Sequence, residues 1–259
     1  MRENSLSSAS ITGGLETKFI GWRVIYYPRL SSTMGVAKRE ARLGAAEGTV
    51  VIAGEQTVGR GRIGRFWLSP KGSIALSIIL YPSLVYLPSL IMLASLAVVH
   101  SIEAVTGLKS QVKWPNDVLV NGRKVCGILI ESDVLGDTVV YAIIGIGVNV
   151  NLRTSDFPEI SQLATSLSDE LGGGISLLSL IRRLLVEVEG LYLTLLAGGS
   201  IYEEWRDNLV TLGKKVKVES GKIRYEGIAE SVARDGSLLL RQANGSLTKI
   251  VAGDVTLRD

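Results

Sequence analysis

Cysteine and histidine are almost missing: the 259 residues contain one of each. A lone thiol, Cys126, excludes an internal disulfide and fits a reducing, cytoplasmic compartment. With a lone histidine, His100, no Ser/His/Asp triad and no Cys/His metal cluster stands out. It sits inside an apolar helical pattern and reads as structural. No paired carboxylates stand out for acid–base work. Long apolar runs are missing too. The longest, "LPSLIMLASLAVV" at 87–99, falls short of the roughly 20 residues a membrane span needs, so no membrane association is expected. The first 18 residues, "MRENSLSSASITGGLETK", lack the apolar core of a signal peptide and read as a flexible tail. Net charge is only +3, too little by itself to argue for nucleic acid.

What is present is apolar and well punctuated. Hydrophobic residues make up 46% of the chain, enough for one sizeable core and a small second domain. "WRVIYY" (22–27) and "GTVVIAGEQ" (48–56) read as strands, and Ser31 or Ser32 can cap a helix that stops at Gly44. "SIALSIILYP" (73–82) is apolar nearly throughout, as a strand buried on both faces should be. A helix is expected from near Pro88 to about Thr106. Asn121-Gly122 between two apolar runs predicts a type I′ hairpin turn. "TVVYAIIGIGVNV" (138–150) is a further strand, and Leu177, Ile181, Leu184, Leu185, Val188, Leu191 and Leu195 keep the spacing of a core-facing helix. From 209 onward, short strands joined by Gly/Asp/Asn turns suggest a small appended β-barrel. The expected division is a tail over 1–18, a catalytic domain over 19–208 and a C-terminal domain over 209–259.

Three stretches could carry chemistry. "QTVGRGRIGRFW" (56–67) sets Arg60, Arg62 and Arg65 among Gly59, Gly61 and Gly64 and closes on Trp67. Arginine forks its donors onto carboxylate or phosphate oxygens, glycines let a loop fold closely over a ligand, and an indole offers a stacking face. The same run also reads as a solvated basic loop with a core tryptophan. It is not a Walker A loop. In "VKWPNDVLV" (112–120), Asn116 and Asp117 follow a proline that restricts Trp114. Asp117 suits Mg²⁺ or a ribose, but the residues alone favour an Asx turn. Lys124 follows the hairpin turn, and strict alternation predicts that it shares a face with Cys126 and Ile128. It either pairs with an anion or stands in solvent at the strand start. Gly127 permits close approach of a ligand, and "IIGIGVNVN" (143–151) lacks the third glycine and the helix of a dinucleotide fingerprint. A site built from cations and glycines favours charge stabilisation over proton transfer.

Taken together, "SSTM", "EQTVGRGRIGRFW", "GSIALSIIL", "KWPNDVLVNGRKVCGILIE", "GIGVNVN" and the terminal β-segment resemble the biotin protein ligases, in that family's order, from about Tyr27 to the C-terminus. The resemblance implies an α/β (α+β) catalytic domain with a mixed sheet of the biotin/lipoate ligase type and a small SH3-like β-barrel. It implies activation of biotin by ATP to biotinyl-5′-AMP, then transfer to a lysine of a biotin carboxyl carrier protein; members of the family are often dimers through sheet edges, so a homodimer is expected. Carried over residue by residue, Ser32, Thr33 and Gln56 are expected at biotin's ureido end. Arg60, Gly61, Arg62 and Lys124 are expected at the carboxylate and phosphate, and Gly127 and Gly145 along the biotin slot. Arg65, Trp67, Asn116, Asp117 and Asn149 are expected on the adenylate side, with Mg²⁺ held mainly by phosphates near Asp117. Met34 departs from the asparagine common after Ser-Thr, and Ile63 from a polar or basic residue. The N-terminal stretch is too short for the DNA-binding winged helix of bifunctional relatives, so a ligase without repressor activity is expected. A lipoate ligase and a nucleic-acid-binding protein are the rival readings.

Overall fold

The computed structural model describes residues 6–257. After a short helix α1 (Ser8–Thr12) come β1 (Val24–Tyr27), α2 (Thr33–Arg42), β2 (Val50–Ala53), β3 (Ile74–Leu80) and α3 (Ser89–Thr106). Then follow β4 (Gln111–Lys113), β5 (Asp117–Val120), β6 (Arg123–Leu135), β7 (Thr138–Val148), α4 (Leu167–Leu171), α5 (Leu177–Leu196) and α6 (Tyr202–Asp207). The chain ends in β8 (Lys215–Ser220), β9 (Ile223–Val232), β10 (Leu238–Arg241), β11 (Leu247–Ile250) and β12 (Asp254–Leu257).

The first seven strands form one sheet in the order β1-β2-β3-β7-β6-β5-β4. Only β1 and β2 run parallel, so the sheet is mixed as expected. Alternation sorts its side chains onto two faces. Ile144, Ile146, Val148, Cys126 and Ile128 join α3 and α5 in the main core, whereas Ile143, Val51 and Ile79 pack under α2. The α3 helix is long and apolar enough to cross a membrane by length and composition. Here Leu90, Leu93, Leu96, Ala97 and Ile102 along it are buried in that core. The last five strands form an antiparallel sheet, β11-β10-β9-β8-β12, the small C-terminal domain. Its Val216, Val218, Leu238 and Leu240 continue the main core without a break. The join is stitched by Trp114, whose Nε1 donates to the Gly236 carbonyl and whose N–H donates to Thr211 Oγ1.

The hairpin turn forms as its dipeptide dictates: Asn121 and Gly122 have φ of 50° and 77°. The tail expectation needs correction. Residues 1–5 lie outside the described residues, but the stretch from Ser8 to Thr12 is helical and buries Ile11 completely. Buried Glu189 on α5 explains this. Its carboxylate accepts hydrogen bonds from the backbone N–H groups of Lys18, Phe19 and Ile20, and Arg182 donates to the carbonyls of Ser10, Ile11 and Gly13. Local composition could not reveal partners lying some 170 residues away in sequence. Glu189→Ala is expected to destabilise the protein by about 1–3 kcal/mol, since it takes the charged acceptor from three backbone donors, of which the Ile20 N–H is buried. Urea denaturation checks this, and an unchanged midpoint would mean that the N-terminal segment is not part of the cooperative unit.

Candidate active site

On the α2 face of the sheet, strand register sets out two rows of small and polar residues. In one row Ser77 pairs with Gly145, which pairs with Leu129. Two residues along, roughly 7 Å away, Asp117 pairs with Gly127, which pairs with Gly147. The first row is neutral. Ser77 Oγ donates to Thr33 Oγ1 at 2.8 Å, and Gln56 Oε1 accepts from Thr33 N–H at 2.9 Å and from Thr33 Oγ1 at 3.2 Å. Met34 lies directly against Gly145, where a Cβ would come within 2.7 Å of its Sδ. Ser32 occupies the N-cap position of α2 but makes no capping bond; its buried Oγ has no partner.

The second row is charged. Lys124 Nζ sits 2.6 Å from Asp117 Oδ1 and 5.3 Å from the centroid of the Trp67 ring. That ring lies on the sheet glycines: a Cβ at Gly147 would meet its Nε1 at 2.3 Å, and one at Gly127 its Cζ3 at 2.9 Å. Any side chain there would lift the indole off, so the glycines serve close approach. Asn116 is locked to β6, its N–H₂ donating to the Ile128 carbonyl, and its Oδ1 accepts from Arg62 Nη1 at 2.8 Å.

The Gly/Arg segment is a tied loop over this surface. Its base is pinned by Gln56 N–H to Ser69 carbonyl and Trp67 N–H to Gly59 carbonyl, both 2.9 Å, and its tip by Gly61 N–H to Arg65 carbonyl at 2.8 Å. At Gly59 a Cβ would collide with the Trp67 carbonyl at 2.2 Å. At the tip Ile63 takes φ 53°, a left-handed conformation costing a β-branched residue about 1–2 kcal/mol and held only where surrounding contacts over-determine it. Those contacts are ionic: Arg65 pairs with Asp254 at 2.5 Å, and Arg62 lies 3.8 Å from the same carboxylate. Burial lowers Arg62's pKa from its ordinary value, with Asp254 and Asp117 opposing that shift. Burial likewise lowers Lys113, opposed chiefly by Asp117.

One cavity is lined by Ser32, Thr33, Gln56, Arg60, Gly61, Arg62, Arg65, Trp67, Asn116, Asp117, Lys124, Gly127 and Gly145. These are all but one of the residues expected in the site from the sequence. The exception is Asn149, whose expected place on the adenylate side finds no support in this geometry. It is buried, its amide donates to the Thr165 carbonyl, and its N–H bonds to Val125. It ties the end of β7 to the segment leading into α4. Lys124 also departs from expectation. A register shift between Val118 and Leu119 interrupts strict alternation. Lys124 therefore shares the site with Gly127, while Cys126 and Ile128 turn into the core. The cavity also includes Met34, Phe66, Leu129, Gly147 and Asp254, which sequence reasoning missed as site residues. Gly147 was findable, two positions beyond Gly145 on one strand face. Asp254 carried no local signal.

Residues 26–149 match the Biotin/lipoate A/B protein ligase family, and residues 211–258 match the biotin protein ligase C-terminal domain. A relative named "Bifunctional ligase/repressor BirA" from Bacillus subtilis is 38% identical over 262 residues, spanning 99% of this chain and 80% of its own. The chain belongs to the biotin protein ligases. A "Biotin--[acetyl-CoA-carboxylase] ligase" from Mycobacterium tuberculosis is 33% identical over 246 residues, covering 91% of this chain and 89% of the relative. The solved Aquifex aeolicus biotin protein ligase in complex with biotin and ATP superposes with a TM-score of 0.77 at 29% identity, over 92% of this chain and 99% of that one. Within this ligase fold the glycine floor is directly testable. Gly147→Ala is expected to displace Trp67 and cut biotin-dependent pyrophosphate release by tenfold or more, because an overpacking penalty of about 1–3 kcal/mol falls on the site itself. Trp67 fluorescence and initial rates report it; an unshifted spectrum with normal rates would mean that the ring does not rest on Gly147.

Proposed function

We propose that this ligase activates biotin with ATP and transfers it to a specific lysine of a biotin carboxyl carrier protein. A carboxylate oxygen of biotin attacks the α-phosphorus, the bond to the bridging oxygen breaks, and pyrophosphate leaves with biotinyl-5′-AMP formed. The acceptor's amine then attacks the acyl carbon, AMP departs, and the amine loses a proton to become an amide. The observation that carries this reading is the pairing of a neutral polar row with a cationic row across one glycine-floored cavity. Ser32, whose buried Oγ lacks a partner, is assigned with Thr33 and Gln56 to the ureido group. Gly127 and Gly145 line the slot between. Arg60, Arg62 and Lys124 offset the like charges of carboxylate and polyphosphate and hold them in line, while Gly61 lets the loop lie close. Arg65, Trp67, Asn116 and Asp117 are assigned to the adenylate.

Mg²⁺ enters with the nucleotide as part of the substrate. The carboxylates at the cavity, Asp117 and Asp254, each face a cation, and no group of three ligating side chains occurs among the described residues. The fit is to an ion carried by phosphates, with Asp117 adding at most one oxygen. Its chemistry there is charge neutralisation.

The deciding experiment incubates the protein with MgATP, a biotin carrier domain, and either biotin or lipoate, reading pyrophosphate release and the acceptor's mass. Biotin-dependent release with one added biotinyl group supports the assignment; lipoate-dependent release alone would replace it with the rival acyl substrate. A homodimer belongs to the same proposal. The outer part of β6 extends past β5, its described partner on that side, and carries exposed Val134 and Leu135. Light scattering tests that. The single buried thiol, Cys126, fits placement in a reducing cytoplasm.

A further inference from the structure

Among the described residues, the C-terminal domain sends one charged side chain, Asp254, into the cavity. Asp254 opens β12, and its carboxylate sits between two arginines of the loop, 2.5 Å from Arg65 and 3.8 Å from Arg62. The preceding Gly253 carbonyl accepts a hydrogen bond from Arg62 Nη1 at 3.2 Å. This backbone has no room to drift toward β8. A Cβ at Gly253 would lie 2.8 Å from Val218 Cγ1 and 2.9 Å from the Glu219 carbonyl. The Asp254 side chain is 24% exposed, so water screens it only in part.

Arg62 Nη1 is thereby committed to Asn116, to Gly253 and to the field of Asp254. The same guanidinium N–H groups are the ones a phosphate must take. A polyphosphate brings several negative charges and forks onto arginine as a carboxylate does. Asp254 and the nucleotide therefore compete for Arg62 and Arg65, and at close range they repel each other.

We propose that Asp254 is an interdomain placeholder: its carboxylate holds Arg62 and Arg65, and with them the strained loop tip at Ile63, over the cavity and yields them to the phosphates of the nucleotide. This rests on the reading of the cavity as a nucleotide site. Asp254 is a positioning residue acting through the two arginines. Linkage follows. Nucleotide binding weakens the contact between loop and C-terminal domain, and that contact weakens nucleotide binding by the same factor.

The test compares wild type, Asp254→Asn and Asp254→Glu. Calorimetry with a non-hydrolysable ATP analogue and Mg²⁺ measures affinity, and limited trypsin digestion measures cleavage after Arg60, Arg62 and Arg65. Asp254→Asn, nearly isosteric, is expected to bind the analogue three- to tenfold more tightly. Without nucleotide its loop should be cut faster than wild type, and with saturating nucleotide equally slowly. Asp254→Glu keeps the carboxylate and should restore both wild-type values. If Asp254→Asn binds more weakly and stays protease-sensitive with nucleotide, Asp254 is a permanent brace and the proposal falls. If it binds and digests like wild type, the ion pair has no role and the proposal falls again. If wild type itself binds no nucleotide, the assignment of the cavity fails and takes this inference with it.

Discussion

Lys124→Ala is expected to lower biotinyl-adenylate formation by a hundredfold or more. Lys124 is the ammonium nearest the glycine floor, 2.6 Å from Asp117 and above the Trp67 ring. In the proposed reaction it faces the place where carboxylate and phosphate converge. Removing one preorganised donor from such a position costs about 2.7–4 kcal/mol of barrier. Its value to folding is much smaller. The Lys124–Asp117 pair is partly exposed, at 31% and 20%, and pairs near the surface contribute about 0–1 kcal/mol. The two magnitudes separate the readings. A rate falling by two orders with the melting temperature nearly unchanged assigns Lys124 to the chemistry. A normal pyrophosphate-exchange rate removes it from the site. Lys124→Arg should rescue only in part, because a planar fork cannot reproduce a compact point charge.

Arg62→Gly is expected to leave some adenylate synthesis but to release the intermediate early. The substitution deletes the guanidinium that holds the loop to Asn116, Gly253 and Asp254 before nucleotide binds and that the adenylate's phosphate takes over in the proposed complex. It also adds a hinge beside Gly61, so the loop loses both its anchor and its stiffness. A charge-assisted hydrogen bond contributes about 1.5–3 kcal/mol, which corresponds to roughly ten- to 150-fold faster dissociation. Synthesis suffers less, because Lys124, Arg60 and Arg65 remain at the cavity. The measurement is dissociation of labelled biotinyl-adenylate in the absence of acceptor, followed by rapid gel filtration. Retention as long as in wild type would show that the loop does not act as a lid.

The residues of the site were legible because the chemistry needs uncommon local combinations. Arginines spaced by glycines have few structural uses, and an Asn-Asp pair after proline marks a turn entering a strand. Composition could not divide the labour within such a motif. In "KWPND", Trp114 is buried and braces the C-terminal domain, whereas Asn116 and Asp117 line the cavity. Asn149 looked the same as Asn116 in sequence, yet its amide is spent on the Thr165 carbonyl. Both outcomes depend on what the neighbouring segments bring.

By itself the sequence determined the elements and the charge inventory. Apolar runs with helical or strand period, the Asn121-Gly122 turn and the three loop arginines act over a few residues, where backbone geometry alone sets the result. Only the tertiary structure decided which groups meet. The register shift near Val118 turned Lys124 from the core face to the cavity. Glu189 captured an N-terminal segment that looked unstructured. The C-terminal sheet carried Asp254 back to arginines nearly two hundred residues earlier in the chain. Sheet register and domain packing are properties of the whole folded chain, and a one-residue shift reverses the face on which a side chain stands.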